Sequence, residues 1–381
     1  MNIANRIEET ITRADYFREG KKLADQLGNR GPIRFDSQGK LSPEITDAYW
    51  HCGFYVFQGV LRAEELQDLK TDLKYVLDRA PHTKDALVDA KGQPALGVEF
   101  SRPTFNFAKP LSDPVGGTSK NNGRHPAKMS EPLPPADAPD FVVASIAGPL
   151  QIMDSCLRLY GHPQLLSVAE QVNGPDFTPF TESIIVKPPG LGASVAWHQD
   201  GTKQWDKADW DYGTHGFNFM AQLFGSTAAN GVWLLPGSHQ RGKLDIKAMI
   251  KANNGSDCLP GAVPMVCEPG DVVISNRQAL HASFANTSKG LRVTINFGFH
   301  RRSSVLGVRT EYNGQEVVYD EERIFDRSRL IAVAIDARQQ RFPDERRYVY
   351  RPLIGEEKQN QWNEVTRERI VKDYNQRDLG I

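Results

Sequence analysis

The sequence predicts a helical N-terminal layer packed against a β-rich core of sandwich or barrel type. Three observations predict it. The first eighty residues read helix, short strand, helix. Residues 181–299 hold several short apolar or alternating runs separated by regular turn signals, the mark of a sandwich or barrel. No internal repeat offers a solenoid or propeller instead.

Residues 1–30 form a charged, weakly amphipathic helix. Ser42-Pro43-Glu44 is a helix start, with Ser at the cap and Pro at the first helical position. Gly53-Phe54-Tyr55-Val56-Phe57 reads as a strand. Residues 64–79 form a helix, because Leu66, Leu69, Leu73, Val76 and Leu77 recur at three-to-four spacing as one buried stripe. Residues 109–140 differ in kind: Pro110, Pro114, Pro126, Pro132, Pro134, Pro135 and Pro139 sit among Gly, Ser, Asn and Lys and exclude a regular element. A loop this long inside a domain is either a cover over a functional site or plain disorder. Residues 147–173 read as helical.

The β core follows. Residues 181–187 form a strand stopped by Pro188-Pro189-Gly190, and Ser194 to His198 is extended. Phe217 to Leu223 is a strand, Asn230-Gly231 a hairpin turn signal, and Val232 to Leu235 the return strand. Pro269-Gly270-Asp271 turns the chain into Val272–Ser275. Residues 291–299 alternate, with Arg292, Thr294 and Asn296 on one face and Leu291, Val293, Ile295 and Phe297 on the other. In the charged tail, 320–340 and 360–376 read as helices with mostly polar surfaces.

Composition narrows the classes. With 381 residues, 39% hydrophobic and 24% charged, the chain is an ordinary globular protein of one large domain or two modest ones. A formal net charge of −1 gives no global pull toward nucleic acid or an anionic membrane. No run approaches the roughly 20 apolar residues of a membrane span. Met1 to Gln26 lacks an apolar signal core, and the terminal Asp-Leu-Gly-Ile is not a peroxisomal address. The four cysteines, Cys52, Cys156, Cys258 and Cys267, show no C-x-x-C pair and read as reduced thiols. The expected setting is the cytoplasm, the expected partner a small molecule rather than nucleic acid or membrane, and the oligomeric state is open.

The chemistry lies in Ala196-Trp197-His198-Gln199-Asp200-Gly201 read with His281 and Arg292. A His-x-Asp pair on an extended strand points both side chains to one face. His281 completes a set of two histidines and one carboxylate. Bound to one face of a metal, that set leaves three positions open, as in non-haem Fe(II) oxygenases. Arg292, on the polar face of the next strand, offers a planar fork to a carboxylate. Ser283 faces the same side as His281 if that stretch is extended. An isolated histidine means little among nine. His239, His215 and His300 are therefore read as structural, and Trp197, Trp205 and Trp210, which flank the metal pair, as packing or as the lining of a substrate pocket.

These pieces, in order, resemble the phytanoyl-CoA dioxygenase family of Fe(II)- and 2-oxoglutarate-dependent oxygenases. The resemblance covers about residues 46–300. Gly53-Phe54-Tyr55-Val56 and Leu61-Arg62-Ala63-Glu64-Glu65-Leu66 match the opening strand and helix. Lys187-Pro188-Pro189 and His198-Gln199-Asp200-Gly201 match the first metal strand. Asn230-Gly231 and Leu235-Pro236-Gly237-Ser238-His239 match the central hairpin, and Pro269-Gly270-Asp271, His281-Ala282-Ser283, Asn286-Thr287-Ser288 and Arg292 the closing half.

The resemblance implies a mainly β, α+β fold: a double-stranded β-helix (a jelly-roll, cupin-like barrel) with an N-terminal helical layer and a helical C-terminal extension at 301–381. It implies one oxygenase domain over 1–381. It implies Fe(II) on His198, Asp200 and His281, with 2-oxoglutarate and O2 as cosubstrates. Arg292 and Ser283 would hold the far carboxylate of 2-oxoglutarate, with Lys187, Ser183 and Met220 as further cosubstrate contacts; Met220 departs from the aromatic residue some members carry there. Gln199 and Trp205 are the candidate substrate contacts. Related halogenases free a metal position by replacing the carboxylate ligand, so Asp200 favours hydroxylation or another oxidation. A non-redox cupin-like metal enzyme and an inactive ligand-binding member stay open as alternatives. The loop at 109–140 and the tail after 300 have no counterpart in the family's core pattern.

Overall fold

The alternating run at 292–300 forms the longest strand among the described residues, and the main sheet builds around it. The computed structural model describes residues 3–180, 182–200, 216–312 and 315–377. Its strands are β1 (Arg30–Gly31), β2 (Phe54–Phe57), β3 (Phe105–Ala108), β4 (Val142–Ala147), β5 (Thr178–Pro179), β6 (Ser183–Lys187), β7 (Val195–His198), β8 (Gly216–Gln222), β9 (Trp233–Leu234), β10 (Val263–Pro264), β11 (Val272–Asn276), β12 (His281–Ser283), β13 (Arg292–His300), β14 (Arg309–Tyr312) and β15 (Gln315–Val318). The helices are α1 (Ile3–Gln26), α2 (Pro43–Cys52), α3 (Ala63–Asp78), α4 (Pro149–Ile152), α5 (Asp154–Tyr160), α6 (Pro163–Asn173), α7 (Ile246–Ala252), α8 (Arg302–Val305), α9 (Glu321–Arg341) and α10 (Glu364–Thr366).

A nine-stranded sheet runs β1-β2-β11-β8-β13-β6-β4-β3, with β5 on the far end of β13. A four-stranded sheet runs β10-β9-β12-β7. Val56, Met220 and Val273 of the large sheet meet Leu234 and Val263 of the small one, with the flanking Val232 and Met265, in a shared apolar cluster. This is the predicted jelly-roll arrangement. Among the described residues the pairings form two facing sheets rather than one continuous barrel.

The helical layer covers the outer face of the large sheet. Ile45, Tyr49, Leu69, Leu73 and Val76 of α2 and α3 join Phe219, Ile295 and Phe297 in the largest core cluster. The stretch read as helical at 147–173 is helical, as the three helices α4, α5 and α6. Gly148 has a φ of 65°, and prolines stand at the starts of α4 and α6, where a missing N–H costs least. On the other sheet, Tyr16 of α1 stacks on Trp233 at 4.5 Å between ring centroids.

Three other readings differ from the structure. Phe217–Leu223 and Val232–Leu235 are not hairpin partners, since β8 lies in the large sheet and β9 in the small one. The turn exists: Gly231 N donates to Thr227 O at 2.7 Å, and Asn230 accepts from Thr227 N. It carries the chain across between sheets instead of back along one. In the tail, α9 matches the predicted 320–340 helix but is not mostly polar at its surface. Leu330, Ile331, Val333 and Ala334 are buried against the core. The predicted helix at 360–376 is a chain of short turns: α10, a π-turn at Arg367–Val371 and a 3-10 turn at Tyr374–Arg377.

The tail docks tightly. Arg338 of α9 donates to Glu65 of α3 at 2.7 Å and also pairs with Glu345. A Cβ added at Gly161 would lie 2.3 Å from the Ala334 carbonyl oxygen of α9. Gly161→Ala must therefore push two backbones apart and is expected to destabilise the protein by about 1–3 kcal/mol, as overpacking does. A lowered urea midpoint at unchanged m-value would show it.

Candidate functional site

Between the sheets lies a cavity of about 530 Å3. Alternation decides what faces it. On β13, Arg292, Thr294 and Asn296 line the cavity, while Val293, Ile295 and Phe297 enter the core behind. Thr294 and Asn296 stand across from Ile185 and Ser183 of β6, which line it too. Asn218 and Met220 of β8 and Ser275 of β11 complete that wall.

The small sheet supplies the donors. His281 of β12 is the register partner of His198 at the end of β7. Asp200 follows, its backbone N–H bonded to Arg277 O at 2.8 Å. One ligand atom from each of His198, Asp200 and His281 lies within 4.8 Å of the others. Each imidazole is oriented from behind: His198 Nδ1 stands 2.8 Å from Ala196 O, and His281 Nδ1 2.9 Å from Ala279 O. A carbonyl accepts only, so Nδ1 carries the proton and Nε2 presents its lone pair to the cavity.

The electrostatics fit ligands rather than a structural cluster. Burial, with His281 and His125 nearby, holds His198 well below the ordinary histidine range and so neutral. Burial alone would raise the Asp200 carboxyl. The Arg124 guanidinium more than offsets it and holds the group ionised, well below the usual range. Asn218 Nδ2 donates to Asp200 Oδ2 at 3.2 Å, steadying the carboxylate. Two imidazole nitrogens and one carboxylate oxygen, converging from one side, suit a divalent transition metal with open coordination positions.

Arg292 is 2% exposed, and its Nε has no hydrogen-bond partner; Ser283 Oγ, in the same cavity, has none either. Burial pulls the Arg292 guanidinium down to about 10. Unpaired buried donors of this kind await an acceptor, and a carboxylate satisfies both.

The other sequence candidates divide. Ser183 and Met220 line the cavity. Lys187, across from Arg292 on β6, does not. Its Nζ donates to Phe284 O at 2.5 Å and lies 3.4 Å from Ser283 O, and burial with Arg292 beside it pushes its pKa well down. Gln199 faces away from the pair that flanks it, as alternation requires. It donates to Gln278 O at 2.7 Å and Gly242 O at 3.0 Å and accepts from Leu244 N, so it fastens loops instead of meeting a substrate. Trp205, Trp210 and His215 lie outside the described residues. His239 bonds Trp50 O, and Trp197 Nε1 donates to Asp257 O at 2.7 Å, both in keeping with structural roles.

What the sequence did not place here comes from the long loop. Arg124 Nη1 lies 2.9 Å from Asp200 Oδ1, and the His125 ring centroid is 4.2 Å from that of His198. The loop is pinned at its stem by Asp113, whose carboxylate accepts from Gly116 N and Met129 N, each at 2.8 Å. The only sequence signal was an Arg-His-Pro triplet inside a Pro-rich segment, and nothing local says which way such a loop folds back.

The family model described as phytanoyl-CoA dioxygenase matches residues 50–294. Similar solved structures include EctD from S. alaskensis with bound Fe, at 18% identity, 71% of this chain, 81% of that one and a TM-score of 0.46. The same protein with 2-oxoglutarate and 5-hydroxyectoine matches at 19% identity over 74% of this chain and 82% of that one, with a TM-score of 0.47. The non-heme alpha ketoglutarate dependent epimerase SnoN from nogalamycin biosynthesis matches at 15%, over 66% and 80%, with 0.43. These likenesses are distant. No curated protein matches.

Proposed function

The chain belongs to the phytanoyl-CoA dioxygenase family, and on that footing we propose that it hydroxylates a small-molecule substrate, converting 2-oxoglutarate and O2 to succinate and CO2. The family and its iron and 2-oxoglutarate cofactors make it an oxygenase; hydroxylation is our reading. The observation that carries it is the convergence of His198, Asp200 and His281 in the cavity that also holds the unpaired Arg292 Nε.

In this reading the three donors hold Fe(II), which when bound supplies O2 activation coupled to oxidative decarboxylation of the cosubstrate. Arg292 and Ser283 bind the far carboxylate of 2-oxoglutarate and fix its orientation. Ala196 O and Ala279 O keep both histidines in the ligating tautomer. Asn218 holds the Asp200 carboxylate in place, so the position it fills is closed to other ligands. Met220, Val232 and Ala282 keep part of the wall apolar, which excludes water from the reacting centre. We read the chain as one domain, supported by the Arg338–Glu65 pair between tail and core. The four cysteines carry no disulfide, which supports a reducing, cytoplasmic setting. Among the described residues no helix is long and apolar enough to cross a membrane.

The test is a small-molecule screen of purified protein with Fe(II) and 2-oxoglutarate, read as succinate and then by mass spectrometry as a gain of one oxygen. An inactive ligand-binding member would give no succinate with any compound, and a non-redox cupin-like enzyme would turn substrate over without 2-oxoglutarate.

The loop is read as a cover. Replacing residues 114–127 by a short Gly-Ser linker, which spares Asp113 and Met129, is expected to preserve 2-oxoglutarate binding but uncouple its consumption from product. Product formed per succinate is the measurement. A linker variant with full coupling would show the loop to be dispensable.

A further inference from the structure

Arg124 sits where the cosubstrate account leaves a positive charge over. A divalent ion, one carboxylate ligand, the 2-oxoglutarate dianion and the Arg292 guanidinium sum to zero. Among the described residues Asp200 is the only carboxylate lining the cavity, yet Arg124 and Lys120 line it as well. Lys120 is exposed and bonds Pro114 O, so it belongs to the rim. Arg124 is inside: its side chain is 29% exposed, and its Nε is buried without a partner. A partly buried cation beside a neutralised metal centre attracts an anion.

Its geometry is that of a receptor. Nη1 is already directed at Asp200 Oδ1. That leaves the Nε edge, the side-on face of the guanidinium fork, for a planar or tetrahedral oxyanion. The neighbouring His125 is 2% exposed, lines the cavity, and carries a buried Nδ1 with no partner. Two unsatisfied buried nitrogens on adjacent residues, held over the metal triad by a stem anchored at Asp113, make a polar subsite. Phe107, Ala108 and Ile185 line the same cavity, interleaved with the polar Asn106, Ser145 and Thr294.

We propose that Arg124 and His125 form the substrate-anchoring subsite and that the substrate is a small organic anion, with a carboxylate or phosphate at one end and the rest of its body in the cavity beside the metal site. This deepens, and rests on, the iron and 2-oxoglutarate reading. It assigns the long loop a second task, reading the substrate's charge. No covalent step is involved.

The test is equilibrium binding rather than turnover. Enzyme loaded anaerobically with Fe(II) and 2-oxoglutarate is titrated calorimetrically with hexanoate, 3-phenylpropionate, their amides, and the phosphate esters of hexanol and 3-phenylpropanol. At least one anionic probe is expected to bind at least about tenfold more tightly than its neutral partner, the margin of one charge-assisted contact. The carboxylate and phosphate arms tell which oxyanion is preferred. Arg124→Gln should erase the preference, and Arg124→Lys should keep part of it, the charge without the fork. Equal binding of neutral and anionic probes, binding of no anionic probe, or a preference that survives Arg124→Gln would each overturn the proposal. The preceding 2-oxoglutarate titration separates the two levels. If 2-oxoglutarate itself fails to bind the iron-loaded wild type, the parent reading falls; if it binds and the anion preference is missing, only the subsite falls. The same titration in each variant shows that the cavity has kept its shape.

Discussion

His198→Ala, Asp200→Ala and His281→Ala are each expected to abolish turnover while the fold survives. Loss of residues that merely orient a metal ligand lowers affinity or activity about 10–100-fold, so loss of a ligand itself should exceed that. The fold should persist because the three side chains meet in a cavity instead of filling a core. His198, Asp200 and His281 all line that cavity. Removing Asp200 strands little, since Arg124 is partly exposed and reaches water. Iron content, circular dichroism and succinate release for each variant are the measurements. Near-normal turnover at limiting iron would take that residue out of the ligand set.

Arg292→Ala is expected to raise the apparent 2-oxoglutarate constant by at least about a hundredfold, equivalent to about 2.7 kcal/mol. Hydrogen bonds to charged groups contribute about 1.5–3 kcal/mol each. Stranding the partner of a buried pair costs about 3–5 kcal/mol. Arg292 is 2% exposed, so little solvent screening reduces these figures. Arg292→Lys should fall between, because an ammonium lacks the planar fork. Titration with 2-oxoglutarate at saturating iron measures the constant. An unchanged constant in Arg292→Ala would shift the role to Lys187, which would first have to leave the Ser283 and Phe284 carbonyls.

Period-two alternation was legible wherever one face of a strand meets the cavity and the other the core. That is why Arg292, Thr294 and Asn296 could be assigned to one side of β13 from the sequence alone. The same rule, applied strictly, removes Gln199 from the site, because a residue between His198 and Asp200 must point the other way. Helix 64–79 was legible from its stripe, as α3 confirms. Sheet membership was not. The turn at Asn230-Gly231 has hairpin chemistry, but local turn geometry does not say whether the returning strand pairs with its predecessor or with a strand some fifty residues later. Nor was the loop's destination legible. Arg124 reaches Asp200 through Asp113, Met129 and the stem hydrogen bonds, contacts between residues with no periodic pattern to announce them. Lys187 shows a different limit: a sequence position fixes the strand face, but burial and two carbonyls decide where the ammonium ends.

If this cavity couples 2-oxoglutarate decarboxylation to O2, the label of dioxygen must reach the succinate. Purified protein incubated with Fe(II), 2-oxoglutarate and isotopically labelled dioxygen, with the succinate read by mass spectrometry, is expected to give succinate carrying one labelled oxygen, one molecule for each 2-oxoglutarate consumed, dependent on added iron and lost in Asp200→Ala. No succinate, or succinate without label, would contradict that coupling.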